Sequence, residues 1–237
     1  MNIDITMTAT IRPKIINKTL NSFANNLLSN DHNYRLIVNI DNIGNLNKNH
    51  NNVLNICRKY FKNIVYNTPE HPNFAKAIKW TWSNVDSDIV FHLEDDWIIR
   101  RKIDINFLLY LIEKHNDFSS FRLPKRNAVY KKVKRKNNLN KNTLVQCSVV
   151  SLNPLFLRKS FLDKVSSVLN IKKNPERQLQ KCKKNNKKMC KIIKNTKHCV
   201  YSGNGYSLIK DIGITWKNKK ENNFCKPRVF LTWKKGK

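Results

Sequence analysis

Acidic side chains are scarce in this chain. Against 46 Lys and Arg, its 237 residues carry only 16 Asp and Glu, for a formal net charge of +30. Long apolar runs are missing as well. None approaches the ~18 residues of a membrane span, and the longest, Ile105 to Ile112, already contains Asn106 and Tyr110. The first residues lack the basic-then-apolar layout of a signal peptide. The six cysteines (57, 147, 182, 190, 199, 225) include no Cys-x-x-Cys pair, which is expected of reduced thiols in a cytoplasm. Cys182, Cys190, His198 and Cys199 match no usual zinc spacing, and no internal repeat is visible. What remains is a chain of a length that suits one large domain, or one domain with an appendage, able to bury a real core.

The charge needs its own account. Asn, Lys and Ile crowd the chain, and Lys far outnumbers Arg. An AT-rich genome produces that pattern without functional cause. Such bias does not explain the shortage of acids, so a polyanionic partner is expected: nucleic acid first, an anionic membrane surface second.

The few acids are also unevenly spent. Asp88-Ile89-Val90-Phe91-His92-Leu93 is a short apolar run of strand character, and Glu94-Asp95-Asp96 follows it directly. Like charges within ~4–6 Å disfavour one another's ionisation. A divalent cation resolves that repulsion, because Mg2+ and Mn2+ take carboxylate oxygens. The alternative for the same residues is a helix cap and a solvated turn.

Upstream, residues 3–8 alternate as a first strand, Pro13 ends it, and Ile15, Ile16, Leu20, Phe23, Leu27 and Leu28 recur at helical spacing. Residues 34–41 read as a second strand closed by Asp41, 45–52 as a mobile Asn-rich loop, 53–61 as a short helix and 63–66 as a third strand. A helix over 73–82 precedes the acidic strand. Beyond it, the pattern predicts a helix over 103–115, strands over 119–124 and 144–152, a helix containing Phe161, Leu162 and Val165, a helix from Asn174 to about Asn195, and a last strand over 200–209. Asn174, Pro175 and Glu176 make a good helix start. Strands alternating with helices imply a mostly parallel α/β sheet covered on both faces. Ligands of such sheets bind beyond the carboxyl ends of the strands, which groups Thr8, Thr10, Arg12, Asp41 and the acidic triplet.

These motifs, in this order, resemble a known family. Thr8-Ala9-Thr10-Ile11-Arg12-Pro13 with Thr19-Leu20-Asn21-Ser22-Phe23, then Val38-Asn39-Ile40-Asp41, Asn73-Phe74-Ala75-Lys76-Ala77 and Leu93-Glu94-Asp95-Asp96-Trp97 resemble GT-A glycosyltransferases of the family 2 kind over roughly residues 3–100. The last of these looks like the family's acidic DxD motif, with Glu94 a departure in its first position. The resemblance implies a GT-A-like fold with a Rossmann-like nucleotide-sugar half (1–102), an acceptor half of the same domain (103–216) and a basic tail (217–237). It implies a UDP-sugar donor with Mn2+ or Mg2+ held by Asp96 and Asp95, and a donor pocket lined by Thr8, Thr10, Arg12, Asp41, Lys76, Glu94 and Asp95. Asp41 would hold base or ribose. Arg12 suits a phosphate or, equally, a salt bridge to the acids. Lys76 either approaches the diphosphate or is an ordinary exposed helical lysine, and Glu94 touches ribose, metal or neither.

An acceptor hydroxyl needs a base. Glu176 is the candidate, with helix initiation as its other role; His198 and His92 are lesser candidates. The basic stretches Lys125 to Asn142 and Lys172 to Lys197 lie in the acceptor half. They point to DNA as acceptor through phosphate contacts, and so to a hydroxymethylated base in viral DNA, in keeping with a phage-like composition. A surface glycan or lipid-linked sugar against anionic lipid is the other acceptor class. A metal-dependent nuclease and a non-catalytic nucleic-acid binder are the competing functions. Against the nuclease, no Lys follows the acidic triplet closely. Against the binder, the clustered acids would have no purpose.

Overall fold

Alternation along the first strand sorts its side chains between two cores. In β1 (Asn2–Ile11), Ile3, Ile5, Met7, Ala9 and Ile11 enter one apolar cluster, which leaves Asp4, Thr6 and Thr8 for the opposite face. The structure, a computed structural model, describes residues 1–45, 47–125, 144–180, 186–201, 206–213, 224–225 and 234–235.

Pro13 opens α1 (Pro13–Asn26), where its missing N–H is no loss. Then follow β2 (Asn33–Gly44), α2 (His50–Tyr60), β3 (Asn63–Asn67), α3 (Phe74–Ser83), β4 (Ile89–Glu94), the short β5 (Trp97–Ile99), α4 (Ile105–Lys114) and β6 (Phe118–Arg122). The later part comprises β7 (Leu144–Cys147), β8 (Leu155–Arg158), α5 (Lys159–Val168), α6 (Pro175–Gln180), α7 (Lys187–Lys194), β9 (Lys197–Tyr201) and β10 (Ile209–Asp211). Two short strands, β11 (Phe224–Cys225) and β12 (Lys234–Lys235), pair with each other.

Eight strands form the main sheet in the order β3-β2-β1-β4-β8-β6-β9-β7. The pairs β3–β2, β2–β1, β1–β4 and β6–β9 are parallel; β8 runs against β4 and β6, and β7 against β9. The expected mostly parallel α/β sheet is therefore present. Apolar residues of α1, α2 and α4 fill the core on one face, and those of α3, α5, α6 and α7 fill the other. Phe91 ties strands to helix, its ring 5.4 Å from Phe23 of α1 and 4.6 Å from Phe156, its register partner on β8. Truncating such a residue to Ala costs about 3–5 kcal/mol.

Several elements differ from the pattern read in the sequence. The helix expected over 53–61 starts at His50, because Asn49 and Asn52 bond reciprocally as a capping box and turn the polar segment into a helix start. Residues 155–158, expected as a connection into a helix, form β8 in the middle of the sheet. Four residues between Pro154 and a helix are too few to show a period. Among the described residues the single helix expected to about Asn195 is represented by α6 and α7, the second capped by Asn186, whose side chain accepts from the Met189 N–H. The strand over 144–152 ends at Cys147, and that over 200–209 is represented by β9 and β10. Residues 126–142 of the first basic stretch lie outside the described residues.

Candidate active site

Register places the chemistry. Parallel pairing sets Thr8 beside Glu94, Thr10 beside Asp41 and Asn39 beside Asn67, all at the carboxyl ends of β1 to β4. Beyond β4 the chain turns at Asp95 and Asp96, and the Asp95 N–H donates to the Thr8 carbonyl at 3.1 Å. Thr19 of α1 donates to the Asp95 carbonyl at 2.8 Å, so the helix as well as the strand fixes the turn.

The Asp95 carboxylate is heavily engaged. One oxygen accepts from the Thr10 N–H at 2.9 Å, the Thr10 hydroxyl at 3.3 Å and Arg12 Nε at 3.3 Å; the other accepts from Arg12 Nη2. The same Arg12 nitrogen lies 3.2 Å from Asp96 Oδ2. Of the two roles open to Arg12, the ion pair with the acids is the one formed here. Burial alone would lower the Arg12 pKa, yet Asp95 and Asp96 together raise it above its ordinary value, so the guanidinium stays charged. Burial pushes the Asp95 carboxyl up, Arg12 pulls it down, and the neighbouring Asp96 adds to the rise.

Asp96 meets the rest of the site from the other side. Its carbonyl accepts from the Ile212 N–H at 2.8 Å, and a Cβ built on Gly213 would lie 1.9 Å from its Oδ2. The turn that brings Gly213 there is held by Asp211, whose Oδ1 accepts from the Gly213 N–H at 2.9 Å and whose Oδ2 lies 3.6 Å from Lys125 Nζ. Lys125 also sits 4.6 Å above the Trp97 ring, and β10 pairs with β5 just after the acidic turn. Residues 209–213 therefore cover the acids as a second, small layer.

Asp41 is buried at the neighbouring strand end. Its Oδ1 accepts from Asn39 Nδ2 at 2.9 Å, and Asn39 Oδ1 accepts from Asn67 Nδ2 at 2.7 Å, giving a row across β2 and β3. Burial raises the Asp41 carboxyl to about 6, while Asn39 and the Asn73 backbone N–H pull it down. Asn73 caps α3 by accepting from the Lys76 N–H at 3.0 Å, which leaves Lys76 exposed in the first turn. Glu94 is half-buried and accepts from Trp97 Nε1 at 3.1 Å.

Glu176 stands on a separate element. It is half-buried on α6, and its Oε1 accepts from Gln180 Nε2 at 2.8 Å. The loop before α6 is joined to the start of α3 by Asn73 Nδ2, 3.5 Å from the Ile171 carbonyl. The two histidines considered as bases are core groups instead. His92 Nδ1 accepts from Trp82 Nε1 at 3.2 Å and lies 2.9 Å from the Thr6 hydroxyl; burial lowers its pKa to about 3. His198 lies between the Ser120 and Thr196 hydroxyls, both at 2.9 Å, and burial lowers it to about 4.

Asn39, Asn67, Thr19, Asp211 and Gly213 were not among the expected site residues, although Thr19 and Asn39 stand in the motifs that carry the resemblance. Asn39 had a further signal, since residues two apart on a strand share a face, and Asp41 is two residues on. Among the described residues no three His, Cys, Asp or Glu side chains converge to hold a metal ion by themselves, so a hard cation here would need oxygens from a ligand as well. Asp95 has both oxygens engaged by Arg12 and Thr10, and Asp96 Oδ2 also meets Arg12. One protein carboxylate supplemented by phosphate oxygens is a usual arrangement for Mg2+.

No protein-family model matches the chain, and no curated protein matches it in sequence. Solved structures do match in fold. Residues 1–349 of S. aureus TarS superpose with a TM-score of 0.56 at 12% identity, over 85% of this chain and 57% of that one. The same TarS fragment in complex with UDP-GlcNAc gives 0.53 at 14% identity, over 85% and 55%. The mannosyltransferase PcManGT from Pyrobaculum calidifontis, in complex with GDP-Man and Mn2+, gives 0.51 at 10% identity, over 69% and 46%. The chain thus spans about half the length of these structures. With its parallel β3-β2-β1-β4 half, its antiparallel β8 and its acids at the end of β4, the chain has the α/β fold of the GT-A glycosyltransferases.

Proposed function

We propose that the chain is a metal-dependent glycosyltransferase that moves a sugar from a nucleotide-sugar, a UDP-sugar first, to an acceptor hydroxyl. One convergence carries the reading: Thr8, Thr10, Arg12, Asp41, Asp95 and Asp96 gather at the carboxyl edge of a GT-A-type sheet, the edge where open α/β sheets bind ligands.

Asp96 faces the donor diphosphate and, with it, would hold Mg2+ or Mn2+; that cation supplies Lewis-acid neutralisation of the leaving group's growing charge. Arg12 holds Asp95 and Asp96 in place, Nε and Nη2 reaching Asp95 and Nη2 also reaching Asp96, while Thr10 supplies the rest of the Asp95 bonds. Asp41, backed by Asn39 and Asn67, accepts a hydrogen bond from base or ribose. Thr8 lines the same pocket, Lys76 approaches the diphosphate from the first turn of α3, and Glu94 is kept in place by Trp97. Glu176 takes the proton from the acceptor hydroxyl as the new glycosidic bond forms. The proposed acceptor is a hydroxymethylated base in DNA, extruded from the duplex for reaction, and the excess of 46 basic over 16 acidic residues supports it.

The test is incubation with Mn2+ and a panel of nucleotide sugars, with hydroxymethylated DNA, plain DNA or no acceptor. Free nucleotide and the masses of digested nucleosides are the readouts. Turnover that Asp96→Ala abolishes is expected. Silence with every donor would sink the enzyme reading, and turnover indifferent to DNA would sink the DNA acceptor alone.

A further inference from the structure

α7 carries Lys187, Lys188, Lys191 and Lys194, all exposed, and no acid. Its other side buries Met189, Cys190 and Ile193 in the helical layer it shares with α5 and α6. At 3.6 residues per turn, Lys187, Lys191 and Lys194 fall on one stripe about 10.5 Å long. Like charges three and four residues apart destabilise a helix, and among the described residues none of the four lysines is in an ion pair. From residue 164 to 201 the sole acid is Glu176. The stripe borders an open groove of ≈ 310 Å3 lined by Lys187, Cys190, Lys191, Lys194 and Asn195. Such a row is stable by itself only at the cost of self-repulsion, which a polyanion laid along it removes.

We propose that this face of α7 grips the phosphate backbone of a nucleic-acid duplex; the proposal rests on the reading of DNA as acceptor and names the surface that holds it. An anionic membrane is the poorer occupant. A helix lying in a lipid interface must offer it apolar side chains, and those of α7 are already buried in the protein. Lysines are point charges that hold phosphates without reading bases, so the grip is indifferent to sequence. It is also mechanically joined to the proposed base. Asn186, the cap of α7, donates to the Val168 carbonyl at 2.8 Å and to Gln178 Oε1 at 3.0 Å, and Gln178 belongs to α6, the helix of Glu176. A strand held by α7 is thereby held against the same rigid layer that presents Glu176.

The experiment is titration of the full chain into a fluorescent DNA duplex at several salt concentrations. Four proteins are compared: wild type, the triple variants K187Q/K191Q/K194Q and K187R/K191R/K194R, and K18Q/K59Q/K62Q, which removes equal charge from exposed lysines of the opposite helical layer and its loop. The slope of log affinity against log salt should fall by about one per phosphate-bound lysine, so by roughly three for the α7 variant. The control variant should keep its slope, and K187R/K191R/K194R should restore binding. Equal slopes for the two Gln variants overturn the proposal, as does binding to phosphatidylglycerol vesicles with none to the duplex. Donor hydrolysis without DNA, measured on the same proteins, should not change. Loss of the glycosyltransferase reading would appear there, independently of the slope.

Discussion

Arg12 and Asp95 form a buried pair in which Nε and Nη2 reach one carboxylate oxygen each, and Nη2 also contacts Asp96. Removing one partner of such a pair leaves the other charge buried and uncompensated, at a cost of about 3–5 kcal/mol. Here two carboxylates would be stranded. Arg12→Met is therefore expected to lower stability by that amount in urea denaturation. Arg12→Lys should recover only part of it, because an ammonium cannot match the guanidinium's fork.

Gly213→Ala separates positioning from folding. The added Cβ would fall 1.9 Å from Asp96 Oδ2, so either the carboxylate or the 209–213 segment must move. Mn2+-dependent donor turnover and nucleotide affinity are expected to fall at least tenfold, with the melting temperature changed far less than by Arg12→Met. A fully active Gly213→Ala protein would show that the close packing on Asp96 is dispensable.

Asp41 gives the site a pH dependence. Its carboxyl is raised from 3.8 to about 6 by burial. A raised acid stabilises the fold below its unfolded pKa, and that contribution is lost as pH rises through the folded value. Asp41→Asn should then stabilise the protein at neutral pH by on the order of 1–3 kcal/mol. If the ionised carboxylate is what receives the nucleoside, donor affinity in wild type falls as pH drops through about 6, and calorimetric titration of Asp41→Asn shows weak, pH-independent binding.

His92 and His198 act in the opposite sense. Their folded pKa values, about 3 and about 4, lie below the ordinary 6.5. The unfolded chain therefore binds protons that the folded chain refuses, and stability is lost as pH falls below 6.5. Asp41 offsets one of these two protons between about 6 and 4. The two histidines are expected to lower stability as pH falls from 7 to 5, checked by denaturant titration at both values. His198→Asn, which takes up no proton, should shrink the drop.

Much of this architecture was legible in the residues. Alternation in β1 and β2, helical spacing in α1 and α4, and the acids after β4 are local signals, and each corresponds to an element observed. What stayed hidden depends on partners remote in the chain. β8 is strand because β4 and β6 flank it, not because Leu155 to Arg158 demand it. The start of α2 rests on two asparagines that read equally well as loop. Likewise the difference between Asp95 and Asp96, adjacent and chemically identical, arises only when Arg12 and Thr10 enclose one and Gly213 packs on the other.

That last contact has a bearing on the order in which this corner of the fold assembles. Arg12 and Asp96 both precede Gly213 in the chain, and can meet as soon as β1 and β4 pair. Gly213 arrives more than two hundred residues after Arg12, and contacts so far apart in sequence form slowly. The acids can thus meet Arg12 before the segment around Gly213 packs over Asp96. Asp96 is thus the carboxylate whose surroundings are completed last.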